Sequence, residues 1–170
     1  AADLRTSLDI PSIVEGGAVG PQFLRVHPGF RGGGNIGHVE FVFPVTLISM
    51  SLNGKRIAIF VDQQYQEMEV WYPYYRLVEE GAEVHLIAAE AGKTYPSKVG
   101  YPCISDKSYD EVSADDYDGV VAPGGFAPDF IRRHPRSSEF IREVNAQGKL
   151  VAAICHGLWC LCSADVLRGK

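Results

Sequence analysis

Cys155 is the residue of this chain whose surroundings best suit a nucleophile. The apolar run from Leu150 to Ile154 leads straight into it, and His156, Gly157 and a second apolar stretch follow. A short uninterrupted apolar run reads as a buried parallel strand. Small residues, Ala153 and Gly157, stand two places on either side of the cysteine. That is the pattern of a strand-to-helix elbow, which lifts one side chain above the sheet and leaves no room for bulky flanks. The positive end of the following helix would favour thiolate over thiol, and a thiolate attacks carbonyl carbon. The same run also suits a buried structural cysteine, since free cysteine is among the most buried residue types.

Two other loops carry useful groups. Gly124 and Gly125 leave backbone N–H groups uncovered by side chains, and with the N–H of His156 they could form an oxyanion hole. The alternative is a tight turn that needs glycine for its own sake. Glu67 and Glu69 open a helical stretch. They either complement the helix N-terminus or aim a carboxyl at the sulfur.

These loops must be brought together by regular elements. Arg56 to Val61, Glu83 to Ala88, Tyr117 to Ala122 and the Leu150 run read as strands. Glu67 to Gly81 reads as a helix with Trp71, Tyr74, Tyr75 and Val78 on its buried face, and with Pro73 tolerable only near its first turns. Ala127 to Gln147 reads as helical with a break at His134 and Pro135. Short strands are expected around Val99 and Cys103, and a capped single turn at Ser113 to Asp116. His85 reads as a packed strand residue. Alternating strands and helices predict a parallel sheet covered on both faces, with chemistry at the carboxyl ends of its strands. Asp62 to Glu69, Pro123 to Phe126 and Cys155 to Gly157 meet there.

Composition narrows the function classes. Apolar content of 46% with 22% charged residues is that of an ordinary globular domain. A net charge of −5 argues against nucleic acid as a main partner. The four cysteines, Cys103, Cys155, Cys160 and Cys162, lack metal-site spacing and suit a reducing compartment, so a cytoplasmic location is expected. Residues 1–54 are glycine-rich and form an N-terminal extension of unclear origin, with residues 1–49 read as an appendage because Met50 resembles a natural chain start. The Arg31 to Gly37 patch lacks the strand and the Gly-Lys-Ser/Thr of a phosphate loop. Val39 to Ile48 is too short to span a bilayer, so no membrane association is expected; an edge strand or an arm is.

From Lys55 to Lys170 the sequence resembles the PfpI-type members of the ThiJ/PfpI superfamily, relatives of the class I glutamine amidotransferases. The resemblance rests on Glu67 to Leu77, on Ala122 to Asp129, on Ala153 to Gly157 and on Ser163 to Gly169, in this order and spacing. It implies a flavodoxin-like three-layer α/β sandwich with a mainly parallel sheet. It implies Cys155 as nucleophile, His156 as the proposed base of the peptidase branch, Glu69 as the glutamate that contacts the cysteine, and Gly125 as the oxyanion-hole glycine. It implies no metal or organic cofactor, a small carbonyl or peptide substrate, and a homo-oligomer, either dimer or hexamer. Gln66 stands where the peptidase branch often has a second acid. Leu158 and Trp159 replace a smaller, more polar pair. The family usually continues for about fifty residues more, a span of two or three elements, so a final strand and helix are expected to be missing here.

The expected function is a cysteine-dependent hydrolase or lyase: an intracellular peptidase, or a glyoxalase or deglycase acting on carbonyl compounds. Glu69 is expected to be the closer partner of the sulfur, since adjacent residues at an elbow usually point apart. The alternatives are a redox-sensing or chaperone-like stress protein without turnover, and an interaction domain on a degenerate enzyme fold.

Overall fold

The computed structural model describes the backbone of Gln22–Arg25 and Val42–Val45 and the whole of residues 51–169. The chain divides into two units, Ala1–Ile48 and Ser49–Lys170. In the first, β1 (Gln22–Arg25) pairs antiparallel with β2 (Val42–Val45), which falls within the apolar run expected to form an edge strand. The Arg31 to Gly37 patch and Met50 lie outside the described residues.

The second unit runs β3 (Arg56–Phe60), α1 (Glu67–Glu79), β4 (Glu83–Ala88), β5 (Thr94–Pro96), β6 (Pro102–Ile104), β7 (Lys107–Ser108), β8 (Gly119–Ala122), α2 (Ala127–Ile131), α3 (Pro135–Ala146), β9 (Leu150–Ala153) and α4 (Leu158–Ser163). Single helical turns occupy Tyr109–Glu111, Ala114–Asp116 and Cys155–Gly157. Five strands form a parallel sheet in the order β7, β4, β3, β8, β9. The crossover from β3 through α1 to β4 moves one way along the sheet. The crossover from β8 through α2 and α3 to β9 moves the other way. Right-handed connections therefore place α1 and α3 on opposite faces, giving the flavodoxin-like layering.

The central strands earn their position by composition. Ile57 to Phe60 and Gly119 to Ala122 are buried on both faces. On the α3 face the Phe60 ring meets Tyr109 edge-on at 5.1 Å and Phe140 at 5.7 Å. The helical stretch from Ala127 breaks between α2 and α3, where Pro135 takes the first position of the new helix and the residue before it is extended. Ser113 caps its turn as expected, accepting a hydrogen bond from the N–H of Asp115.

Three local expectations are corrected. Val70 is the buried residue of α1, with Tyr74 and Leu77 packed on the core, whereas Tyr75 and Val78 are exposed. Four aromatic residues spread over nearly half of this helix, and Glu69, anchored as described below, fixes its rotation. Pro73 lies in the second turn of α1, where its missing N–H deprives the Glu69 carbonyl of a helical partner. Val99 lies in the turn between β5 and β6 rather than in a strand. The Leu150 strand is not buried: Leu150 is 54% exposed and the rest of β9 is half-buried. Among the described residues β9 pairs only with β8, so it is a sheet edge.

At the carboxyl end of β3, Asp62 is 6% exposed. Its Oδ1 accepts the N–H of Gln63 at 2.7 Å, and burial pushes its carboxyl above the usual range despite His134, Lys93 and Arg133 nearby. A raised folded-state value means that the folded protein binds the proton more tightly than the unfolded chain. Ionised Asp62 therefore lowers stability at neutral pH, and the penalty disappears below about pH 4, where both states are protonated. Asp62→Asn keeps the Gln63 hydrogen bond. It is expected to raise the unfolding midpoint by about 2–4 °C at pH 7 and by much less near pH 4. Thermal melts across that range check both the sign and the slope.

Candidate active site

The sheet order reverses between β3 and β8, and ligands of open parallel sheets bind outside the carboxyl ends at such a point. The loops that follow these two strands are stitched together around Tyr65. Gln66 N–H donates to the Gly124 carbonyl at 3.4 Å, and Phe126 N–H donates to the Gln64 carbonyl at 2.9 Å. Gln64 N–H reaches the Pro96 carbonyl, and Lys98 N–H reaches the Tyr65 carbonyl. The fully buried Tyr65 donates its hydroxyl to the Tyr101 carbonyl at 2.9 Å and accepts the Trp71 indole N–H at 3.2 Å. Burial pushes its phenol up to about 12, so it stays a neutral structural pin.

This stitching requires glycine at 125. Its φ is +74°, and a Cβ there would stand 2.5 Å from the Gln64 carbonyl oxygen and 2.7 Å from the Gln66 nitrogen. Gln66 also caps α1, its side-chain oxygen accepting the Glu69 N–H at 3.1 Å. Glu69 is thereby delivered to the neighbouring loop, where its Oε2 accepts the Gly124 N–H at 2.8 Å.

Cys155 sits at the end of β9 with φ +57°, a left-handed conformation that costs a non-glycine residue about 1–2 kcal/mol. The turn is tight. A Cβ on Gly157 would lie 2.0 Å from the Ala122 carbonyl oxygen, against the backbone of β8. The thiol is exposed, and its Sγ lies 3.2 Å from His156 Nδ1. The expectation that these neighbours point apart is corrected: the left-handed residue turns the chain so that sulfur and imidazole meet. The His156 ring is held edge-on by the Trp159 ring, with centroids 5.0 Å apart.

Glu69 and Cys155 face each other across Gly124. A Cβ at that glycine would stand 2.6 Å from Glu69 Oε2, 2.9 Å from Cys155 Cβ and 3.0 Å from the His156 nitrogen. Among the described residues Glu69 makes its hydrogen bond to Gly124 and none to the sulfur, which corrects its expected role as the closer partner. Of the three expected oxyanion donors, Gly124 is corrected. The Gly124 N–H is taken by Glu69, whereas those of Gly125 and His156 donate to no acceptor among the described residues.

Glu67 stays outside this cluster. It accepts the Val99 N–H at 3.3 Å, and its hydrogen bond with Ser97 holds its carboxyl below the usual range. It ties the loop after β5 to the start of α1. The sequence reading missed Tyr65 and Arg132. Only the isolated aromatic among Gln63, Gln64 and Gln66 signalled the first; the second is taken up below. Among the described residues no group of three His, Cys, Asp or Glu side chains could hold a metal ion, and no helix is long and apolar enough to cross a membrane.

The model of the DJ-1/PfpI family matches residues 55–170. Deglycase PfpI of Pyrococcus furiosus is 40% identical over 115 residues, covering 68% of this chain and 69% of that protein. Protein/nucleic acid deglycase 2 of Escherichia coli is 39% identical over 117 residues, covering 68% of each. The putative cysteine protease YraA of Bacillus subtilis is 39% identical over 116 residues, covering 68% and 69%. Among solved structures, a two-domain Anabaena variabilis protein with DJ-1/ThiJ/PfpI-like and ferritin-like domains superposes with a TM-score of 0.67 at 39% identity, covering 68% of this chain and 34% of that one. Oxidized Toxoplasma gondii DJ-1 gives a TM-score of 0.63 at 26% identity, covering 68% and 64%. These matches, on a fold with this sheet order, lead to one conclusion: the chain belongs to the DJ-1/PfpI family.

Proposed function

We propose that this chain carries the nucleophilic centre of a deglycase or glyoxalase acting on 2-oxoaldehydes and their adducts. The observation that supports this most is Cys155 Sγ at 3.2 Å from His156 Nδ1, beside two backbone N–H groups with no acceptor among the described residues. The names of relatives from Pyrococcus furiosus and Escherichia coli favour this substrate class over peptides.

With methylglyoxal the step begins when His156 takes the thiol proton and the sulfur attacks the aldehyde carbon, forming a hemithioacetal. The N–H groups of Gly125 and His156 stabilise the oxyanion that appears on the former carbonyl oxygen. Glu69 Oε1, which accepts no hydrogen bond from the described residues, takes the proton from the first carbon and returns it to the second, while His156 gives the thiol proton to the oxygen on the second carbon, which becomes the hydroxyl. The resulting thioester is hydrolysed, so methylglyoxal and water give lactate and the free thiol.

Lactate formation from methylglyoxal, measured beside cleavage of a fluorogenic peptide, tests this reading. Turnover of methylglyoxal is expected, with a loss of about 10²- to 10⁴-fold in Glu69→Gln, whose amide oxygen can still accept the Gly124 N–H. Peptide cleavage alone would move the assignment to the peptidase class. Selective dioxygen addition to Cys155 under mild peroxide, with neither substrate turned over, would move it to a redox sensor.

A further inference from the structure

Arg132, at the end of α2, has no carboxylate within ion-pair distance among the described residues. Asp129 is three residues before it and four before Arg133, and it pairs with Arg133. Arg136 is held by Glu139 and Glu143. The Arg132 guanidinium instead stands 5.9 Å from the centroid of the Trp159 ring, a cation–π contact. The same ring meets His156, and His156 meets the sulfur. One wall of the site is therefore an uncompensated cation, an indole and an imidazole in series. The wall is fixed from behind, where the buried Cys160 thiol of α4 points at the Pro128 carbonyl of α2 at 3.8 Å.

We infer that Arg132 is a specificity-determining residue that favours carbonyl substrates bearing an anionic group beyond the reacting carbon. The intervening apolar part of such a substrate lies along the face of Trp159, which is 41% exposed. A guanidinium with no carboxylate partner breaks no ion pair when it takes a substrate carboxylate, and its planar fork suits that group. The effect is moderate in size, because the cation is exposed and screened by salt. The inference rests on Cys155 being the reactive thiol, as proposed above.

Two aromatic disulfide probes separate charge from reactivity: 5,5′-dithiobis(2-nitrobenzoate), whose rings carry carboxylates, and neutral 4,4′-dithiodipyridine. With either, the Cys155 thiolate attacks one sulfur, forms a mixed disulfide and releases one equivalent of aromatic thiolate. Cys162→Ser removes the other exposed thiol, and Cys103 and Cys160 are buried. The ratio of anionic-probe rate to neutral-probe rate is expected to fall about five- to tenfold in Arg132→Met and to recover in large part in Arg132→Lys. In the parent it is expected to fall likewise on raising salt to about 0.5 M. A reactive Cys155 with an unchanged ratio in Arg132→Met overturns this inference and leaves the proposed function standing. No reaction of Cys155 with either probe overturns both.

Discussion

Cys155→Ala is expected to lower turnover by at least ~10⁴-fold while the thermal midpoint stays where it is. The first half follows from the absence of a substitute thiol at the elbow: Cys162 is exposed but sits on α4, beyond the turn that carries Cys155, and Cys103 and Cys160 are buried. Burial pushes the thiols of Cys103 and Cys160 up to about 12, so they are unionised as well as inaccessible. The second half follows from exposure, because truncating an exposed thiol leaves no cavity. Cys155→Gly goes further. It removes the penalty of a side chain at φ +57° and is expected to match or exceed the parent in stability while remaining inactive. Paired activity and melting measurements on the two variants separate the chemical role of the residue from the strain it carries. Residual activity above about a hundredth of the parent value would remove Cys155 from the mechanism.

Gly157→Ala carries the largest expected structural effect. The added methyl would lie 2.0 Å from the Ala122 carbonyl oxygen and 2.8 Å from its carbon. Neither atom can retreat, because Ala122 is buried in β8 and its carbonyl accepts the Ile154 N–H at 3.1 Å. The turn after β9 would have to open, taking Cys155 and His156 with it. A loss of about 3–5 kcal/mol is expected, a large fraction of the stability of a domain this size. Soluble yield and a denaturant titration check it. Gly124→Ala is expected to be milder for folding and as damaging for activity, since its methyl would press on Glu69, Cys155 and His156 together.

Much of this arrangement could be read along the chain, for local reasons. The strands at Arg56, Glu83 and Gly119 are short apolar runs whose type is set by their own residues. The break at His134 and Pro135 follows from the proline ring, and the small residues Ala153 and Gly157 mark the elbow. The rest depends on pairs distant in sequence. The rotation of α1 was not legible because Trp71, Tyr72, Tyr74 and Tyr75 spread aromatic groups over nearly half of its circumference, wider than the face that the core takes. The anchor that decides it joins Glu69 to a backbone N–H fifty-five residues away. That bond also decides which N–H groups remain open to an oxyanion, so the local residues alone left Gly124 beside Gly125, and only the family resemblance singled out Gly125. The meeting of Cys155 and His156 turns on a single positive φ at a residue type that seldom adopts one. The exposure of β9 follows from its having a strand partner on one side alone among the described residues, in keeping with the final strand that was expected to be missing.

The claim on which all of this depends is that the elbow makes Cys155 the reactive thiol of the protein. Iodoacetamide at limiting concentration, followed by peptide mapping over time, compares the two exposed thiols within one molecule. Cys155, beside His156 Nδ1, is expected to be alkylated at least about tenfold faster than Cys162. Equal rates, or faster labelling of Cys162, would contradict the account.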